Sequence, residues 1–103
     1  MALQLIATDV KHLNITLRGK VQRVSFRAAT KAVADQLSVK GFILNQQDGS
    51  VYIEAEGDDF SLDSFLEWCK EGPEKAVVEK IDVIEGQPKN YRNFEVVKRT
   101  PLG

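Results

Sequence analysis

GKVQRVSFR, residues 19–27, decides how the chain is read. Ahead of it, over residues 12–18, Leu13, Ile15 and Leu17 alternate with His12, Asn14, Thr16 and Arg18, the two-residue period of a half-buried strand. Behind it, over residues 25–39, Phe26, Ala29, Val33 and Leu37 recur on one helical face, and Gly41 arrives where a helix commonly stops. The stretch is therefore a tight turn between a strand and a helix, with Ser25 as the expected N-cap. It carries Lys20, Arg23 and Arg27 and no acid, although the unpaired N–H groups of a helix start already concentrate positive charge there. Cations at that end are unfavourable unless something negative joins them.

Working outward, residues 42–45 and 51–56 read as two strands joined by Gln46-Gln47-Asp48-Gly49, whose Asp-Gly is a strong hairpin signal. Val51, Ile53 and Ala55 share the inner face. A second helix is expected over 62–70, capped by Ser61, with Leu62, Phe65, Leu66 and Cys69 on its apolar stripe and Gly72-Pro73 as its stop. Residues 77–84 and 93–98 complete the set as strands, separated by a polar loop over 85–92. The order β-α-β-β-α-β plus a short last strand is that of an α+β, ferredoxin-like sandwich, an antiparallel sheet covered on one face by two helices. Many functions share that fold, so the site has to decide.

Composition narrows the choice. The 103 residues, 43% apolar and 28% charged, make a single domain. Fourteen Lys and Arg against fifteen Asp and Glu leave a net charge of -1, which speaks against a partner held by a broad positive field, such as nucleic acid or an anionic membrane. Any bound anion is small and locally held. Cys69 is the only cysteine, so no internal disulfide, CxxC pair or thiolate zinc cluster is possible, and a cytoplasmic location fits. Residues 1–11 have too short and interrupted an apolar patch for a signal peptide and read as a loose leader. The sole histidine, His12, has no companions for a metal site; no cofactor is expected.

Topology brings distant residues together. The first two strands of such a sheet run parallel with the third between them, so residues 19–27 and the hairpin beginning at Asn45 face each other. Arg27, in the first helical turn, leans back toward the helix start. A strand that enters a tight loop and then a helix offers several converging N–H groups, which bind phosphate without side chains. Arg27 adds a forked guanidinium suited to two phosphate oxygens.

These residues resemble the acylphosphatase family. GKVQRVSFR is similar to its signature G-x-V-Q-G-V-x-F-R, and GFILNQQDGSVYIEAEG to its second block, a G-[WF]-V-x-N segment followed by a D-G-[ST]-V hairpin; FLEWCKEGP and NFEVVK resemble its second helix and closing strand. The resemblance covers residues 14–98. It implies a hydrolase that splits acyl phosphates into a carboxylate and phosphate, with loop amides and an arginine on the phosphate and an asparagine positioning the attacking water. Carried onto this chain, those roles fall to Arg27 and Asn45, with a cradle of Lys20, Val21, Gln22, Arg23 and Val24. The implied partner is a small-molecule acyl phosphate and the implied unit a monomer. Arg23 stands where the family usually has glycine; if the loop needs φ > 0 there, a side chain costs about 1 kcal/mol.

Chemistry agrees with so small a site. The carboxylate leaving group has a conjugate acid of pKa about 4 and needs no proton donor, and phosphoryl transfer rests on positioning and charge stabilisation. An alkoxide leaving group would need an acid or a metal.

Plainer readings stand beside each residue. Arg27 alone is a solvated charge, Asn45 alone a turn starter, Gln22 a loop stabiliser, Cys69 a core residue, and Asp58 and Asp59 solvated charges before the second helix. Two other functions compete: a non-catalytic phosphate-binding domain in which Arg23 has spoiled turnover, and a ferredoxin-like RNA-binding module. For the latter, Tyr52 is the lone candidate aromatic of the central strands, and it shares its strand with Glu54 and Glu56.

Overall fold

The computed structural model describes residues 9–98. Within it the chain forms β1 (Lys11–Lys20), α1 (Phe26–Leu37), β2 (Lys40–Asn45), β3 (Val51–Gly57), α2 (Asp59–Glu71), β4 (Val77–Gly86) and β5 (Phe94–Val97). The leader expected over 1–11 falls largely outside the described residues, and Lys11 already belongs to β1.

Alternation sets the core. Ile15 and Leu17 from β1, Ile43 from β2, and Val51, Ile53 and Ala55 from β3 are fully buried on one sheet face. Phe26 from α1 and Leu62, Phe65 and Cys69 from α2 cover them. The sheet order is β4-β1-β3-β2-β5. β3 lies antiparallel to both β1 and β2, so β1 and β2 run parallel and deliver their C-terminal ends to the same edge. β5 pairs with β2 in parallel, which makes the sheet mixed. Where β1 ends, its pairing with β4 shifts register between Arg18 and Gly19, and Gly19 takes φ 129. A Cβ there would come within 2.2 Å of the Val77 carbonyl oxygen, so only glycine fits.

Two local expectations are corrected, the cap of α1 and the start of α2. Ser25 occupies the N-cap position of α1 but is left-handed, at φ 62, and its side chain makes no capping hydrogen bond. Of the expected face of α1, Phe26 is buried and Val33 and Leu37 pack partly buried against the core, while Thr30 and Ala34 are its other fully buried residues. Thr30 rides in the core because its hydroxyl donates to the Phe26 carbonyl at 2.7 Å, leaving no polar atom unpaired. Helix α2 starts three residues early: the Asp58 carboxylate, not Ser61, caps it, accepting from the Ser61 N–H at 2.7 Å.

The sheet face away from the helices is also partly covered. His12, Glu54 and Glu56 are buried there, because the segment joining β4 to β5 folds over them. Glu56 accepts from the N–H groups of Lys89 and Tyr91, Glu54 from the Tyr91 hydroxyl at 2.6 Å, and the His12 ring lies 2.6 Å from Glu56. Each buried carboxylate thus has several donors, as burial requires.

Candidate active site

Two helix starts in this chain differ in a way that locates the site. The start of α2 is satisfied, by the Asp58 cap and by Asp59 in its first turn. The start of α1 has neither a side-chain cap nor an acid. Leading into it, Arg23 and Ser25 both take left-handed backbone, at φ 63 and 62. Left-handed residues turn a short loop so that successive N–H groups face one concavity. Among the described residues, no group accepts a hydrogen bond from the N–H groups of residues 22–25. The loop and helix start therefore present unpaired donors and the positive end of a dipole.

Arg27 and Asn45, eighteen positions apart in sequence, line the same cavity of about 410 Å³ beside this loop. Arg27 is half-buried, and its Nη1 donates to the Val97 carbonyl at 3.3 Å. That contact orients the guanidinium and leaves the rest of its fork free. Asn45 ends β2, where the parallel run of β1 and β2 puts it opposite the loop. Its Oδ1 is buried and has no hydrogen-bond partner among the described residues. A buried acceptor left unpaired costs about 1–3 kcal/mol.

The other residues named from sequence divide. Val21 and Arg23 line the cavity; Lys20, Gln22 and Val24 do not. Lys20 is the exposed last residue of β1, opposite Val77. Val21 is also wholly buried in the core. Gln22 does structural work: its Nε2 donates to the carbonyls of Gln46 at 2.9 Å and Ser50 at 2.8 Å. Loop and hairpin are thereby pinned together, fixing how far Arg27 stands from Asn45. Across the same gap Arg18 pairs with Asp48 at 3.1 Å. Hydrogen bonds from the Ser50 hydroxyl and N–H, and then Arg18, hold the Asp48 carboxyl down at about 2.

Sequence reasoning missed Lys31, Val96 and Lys98, which also line the cavity. Lys31 was open to discovery, since it follows Arg27 by one helical turn. Val96 and Lys98 arrive through the parallel pairing of β5, for which the sequence carries no local signal. Elsewhere, burial pushes the Cys69 thiol far up, as suits a core residue. No group of His, Cys, Asp and Glu among the described residues is arranged to hold a metal ion, and no helix is long and apolar enough to cross a membrane.

The family model described as acylphosphatase matches residues 13–96. The chain belongs to the acylphosphatase family. Members of that family are hydrolases acting on acid anhydrides. An acylphosphatase of Thermotoga maritima is 45% identical over 87 residues, covering 84% of this chain and 97% of the relative. One from Archaeoglobus fulgidus is 44% identical over 84 residues, covering 82% and 94%. Among solved structures, an acylphosphatase from Bacillus subtilis superimposes with a TM-score of 0.82 at 34% identity, over 84% of this chain and 98% of that one. The acylphosphatase fold and the ferredoxin-like order read from sequence are the same architecture.

Proposed function

We propose that the chain hydrolyses the carboxyl-phosphate anhydride of acyl phosphates. Water attacks phosphorus, the bond from phosphorus to the acyl oxygen breaks, and a carboxylate and dihydrogen phosphate leave. The free N–H groups of the loop and α1 take the phosphoryl oxygens, and the Arg27 guanidinium neutralises the charge that spreads over them in the transition state. Asn45 Oδ1 accepts a hydrogen bond from the attacking water and so aims its lone pair at phosphorus. The carboxylate departs unprotonated, so no residue is needed as general acid.

One observation carries this reading: Asn45, whose side-chain oxygen is buried and unpartnered among the described residues, lines the same cavity as Arg27. A purely structural asparagine at the start of a hairpin would spend that oxygen on its own turn. Here the turn is closed without it, by the Gln46 N–H donating to the Ser50 carbonyl at 2.9 Å and by Asp48 accepting from the Ser50 N–H at 3.0 Å.

The Arg23 backbone supports turnover over simple phosphate binding. Its φ of 63 lies in the left-handed basin, which arginine reaches at a cost of about 1 kcal/mol, so the bend that glycine would make is kept. The outer face counts against an RNA-binding sheet: Tyr52 and Tyr91 donate their hydroxyls to Glu54 at 2.7 and 2.6 Å, and that face buries two carboxylates. The working unit proposed is a monomer. The lone, buried Cys69 is in keeping with a cytoplasmic setting.

The test is release of phosphate from benzoyl phosphate by wild type, Arg27→Gln and Asn45→Ala. Wild type should far exceed the uncatalysed rate, with each variant at least about a hundredfold slower. Hydrolysis of all three at the uncatalysed rate would reject the reading, and tight phosphate binding without hydrolysis would favour the non-catalytic alternative.

A further inference from the structure

The cavity holds more positive charge than one phosphoryl group requires. Arg23, Arg27, Lys31 and Lys98 all line it, and no carboxylate among the described residues does. The chain as a whole carries a net charge of -1, so this is a local concentration and not general basicity. Arg27 and the loop amides already answer the phosphoryl group. Lys31 is partly committed, to Asp35 at 3.1 Å and to the Phe94 carbonyl at 2.9 Å. Arg23 is exposed and makes neither an ion pair nor a hydrogen bond among the described residues. Its left-handed backbone is strained for a side chain, yet this residue, which lines the cavity, carries a long cationic one. Lys98 reaches the same cavity from beyond β5. Val96, half-buried, adds apolar surface to the cavity lining, with Val21 and Phe26 of the core behind it.

We propose that Arg23 is a specificity residue that selects acyl phosphates whose acyl group bears an anion of its own, such as a second carboxylate, with Lys98 assisting. The inference rests on the acyl phosphate hydrolysis proposed above and names its substrate class. A guanidinium grips a carboxylate with two parallel hydrogen bonds, and its effect is strongest where apolar walls reduce the competing water. The substrate's hydrocarbon body packs beside Val96 while its two charged ends meet Arg27 and Arg23.

The test compares benzoyl phosphate with 4-carboxybenzoyl phosphate, which differ by one remote carboxylate, on the full chain with uncatalysed hydrolysis subtracted. Wild type should favour the carboxylated substrate about tenfold in kcat/KM, chiefly through KM, and high salt should shrink that preference. Arg23→Gln should reduce the ratio about threefold to tenfold, and Arg23→Lys should restore most of it. A thermal melt of each variant confirms that the ratios compare folded proteins. Hydrolysis of neither substrate by wild type would overturn the proposed function and this inference with it. Equal kcat/KM for the two substrates would overturn the specificity alone, leaving the function standing. A wild-type preference that survives intact in Arg23→Gln would overturn the assignment to Arg23.

Discussion

Arg27 Nη1 donates to the main-chain carbonyl of Val97 at 3.3 Å, joining the first turn of α1 to the last residue of β5 across seventy positions of sequence. Lys31, one turn on, donates to the Phe94 carbonyl at 2.9 Å. The side chains that build the cavity floor are thus held from the short closing strand, which is itself anchored by its parallel pairing to β2 and by Phe94 in the core.

Phe94→Ala is accordingly expected to lower stability by about 3–5 kcal/mol, the usual range for emptying a buried phenylalanine. Urea unfolding measures it. In the fraction that stays folded, KM for benzoyl phosphate should rise, because β5 no longer holds Arg27 in place. A loss below about 1 kcal/mol would mean that β5 is not part of the core.

Gln22→Ala removes both hydrogen bonds between loop and hairpin. Stability should fall by about 1–2 kcal/mol, and kcat/KM by about tenfold or more, since small displacements of positioned groups are expensive in rate. Steady-state kinetics beside a urea titration separates the two effects. Unchanged kinetics would show that the loop holds its shape without the hairpin.

How the backbone at position 23 is strained can be measured by substitution. Arg23 sits at φ 63, a region closed to β-branched residues and open to glycine and asparagine. Arg23→Val should cost about 1–2 kcal/mol, while Arg23→Gly and Arg23→Asn should stay within about 0.5 kcal/mol of wild type, relief of strain offsetting glycine's extra freedom in the unfolded chain. Equal melting temperatures for the valine and asparagine variants would contradict a left-handed residue there.

Acid should unfold the protein through its outer sheet face. Burial pushes the Glu54 carboxyl up, but hydrogen bonds from Tyr91 and Tyr52 and the ammonium of Lys89 outweigh it and hold it below its ordinary 4.5. In Glu56 burial is likewise outweighed, by the Lys89 N–H, the His12 ring and the Tyr91 N–H. Carboxyls held lower in the folded than in the unfolded state bind fewer protons when folded. Their contribution is therefore complete above the unfolded value and drains away as pH falls below about 4.5 through the folded values. Urea midpoints should be flat from pH 7 to 5 and drop steeply toward pH 3. The drop should be shallower in Glu54→Gln, which has no carboxyl at that position to titrate. A midpoint that held steady down to pH 3 would contradict the account.

Much of this architecture was legible because a single period repeats along each element. Leu13, Ile15 and Leu17 gave β1, Val51, Ile53 and Ala55 gave β3, and Asp48-Gly49 gave the turn between β2 and β3. The pairing of Arg27 with Asn45 followed from topology, since parallel β1 and β2 must end at one edge. At position 23, where the family usually has glycine, the sequence left open whether the loop needs φ > 0, and Arg23 takes φ 63. What stayed hidden depends on contacts between segments far apart in sequence. His12, Glu54 and Glu56 look like an ordinary polar face until the segment after β4 folds over them. Val96 and Lys98 were read as part of a closing strand, but that this strand lies beside β2, and so reaches the cavity, is not written in its own residues. The early start of α2 was hidden by Ser61, which resembles a cap as much as Asp58 does; only the geometry of the Ser61 N–H distinguishes them.

The central claim is that the loop before α1, Arg27 and Asn45 enclose one phosphoryl group. Titrating the protein with inorganic phosphate while following every amide by nitrogen-15 NMR tests it most directly. Saturable shifts in the backbone amides of residues 22–28 and in the side-chain amide of Asn45, all lost in Arg27→Gln, are the predicted result. Shifts scattered over the surface, or a full set that persists without the Arg27 guanidinium, would contradict it.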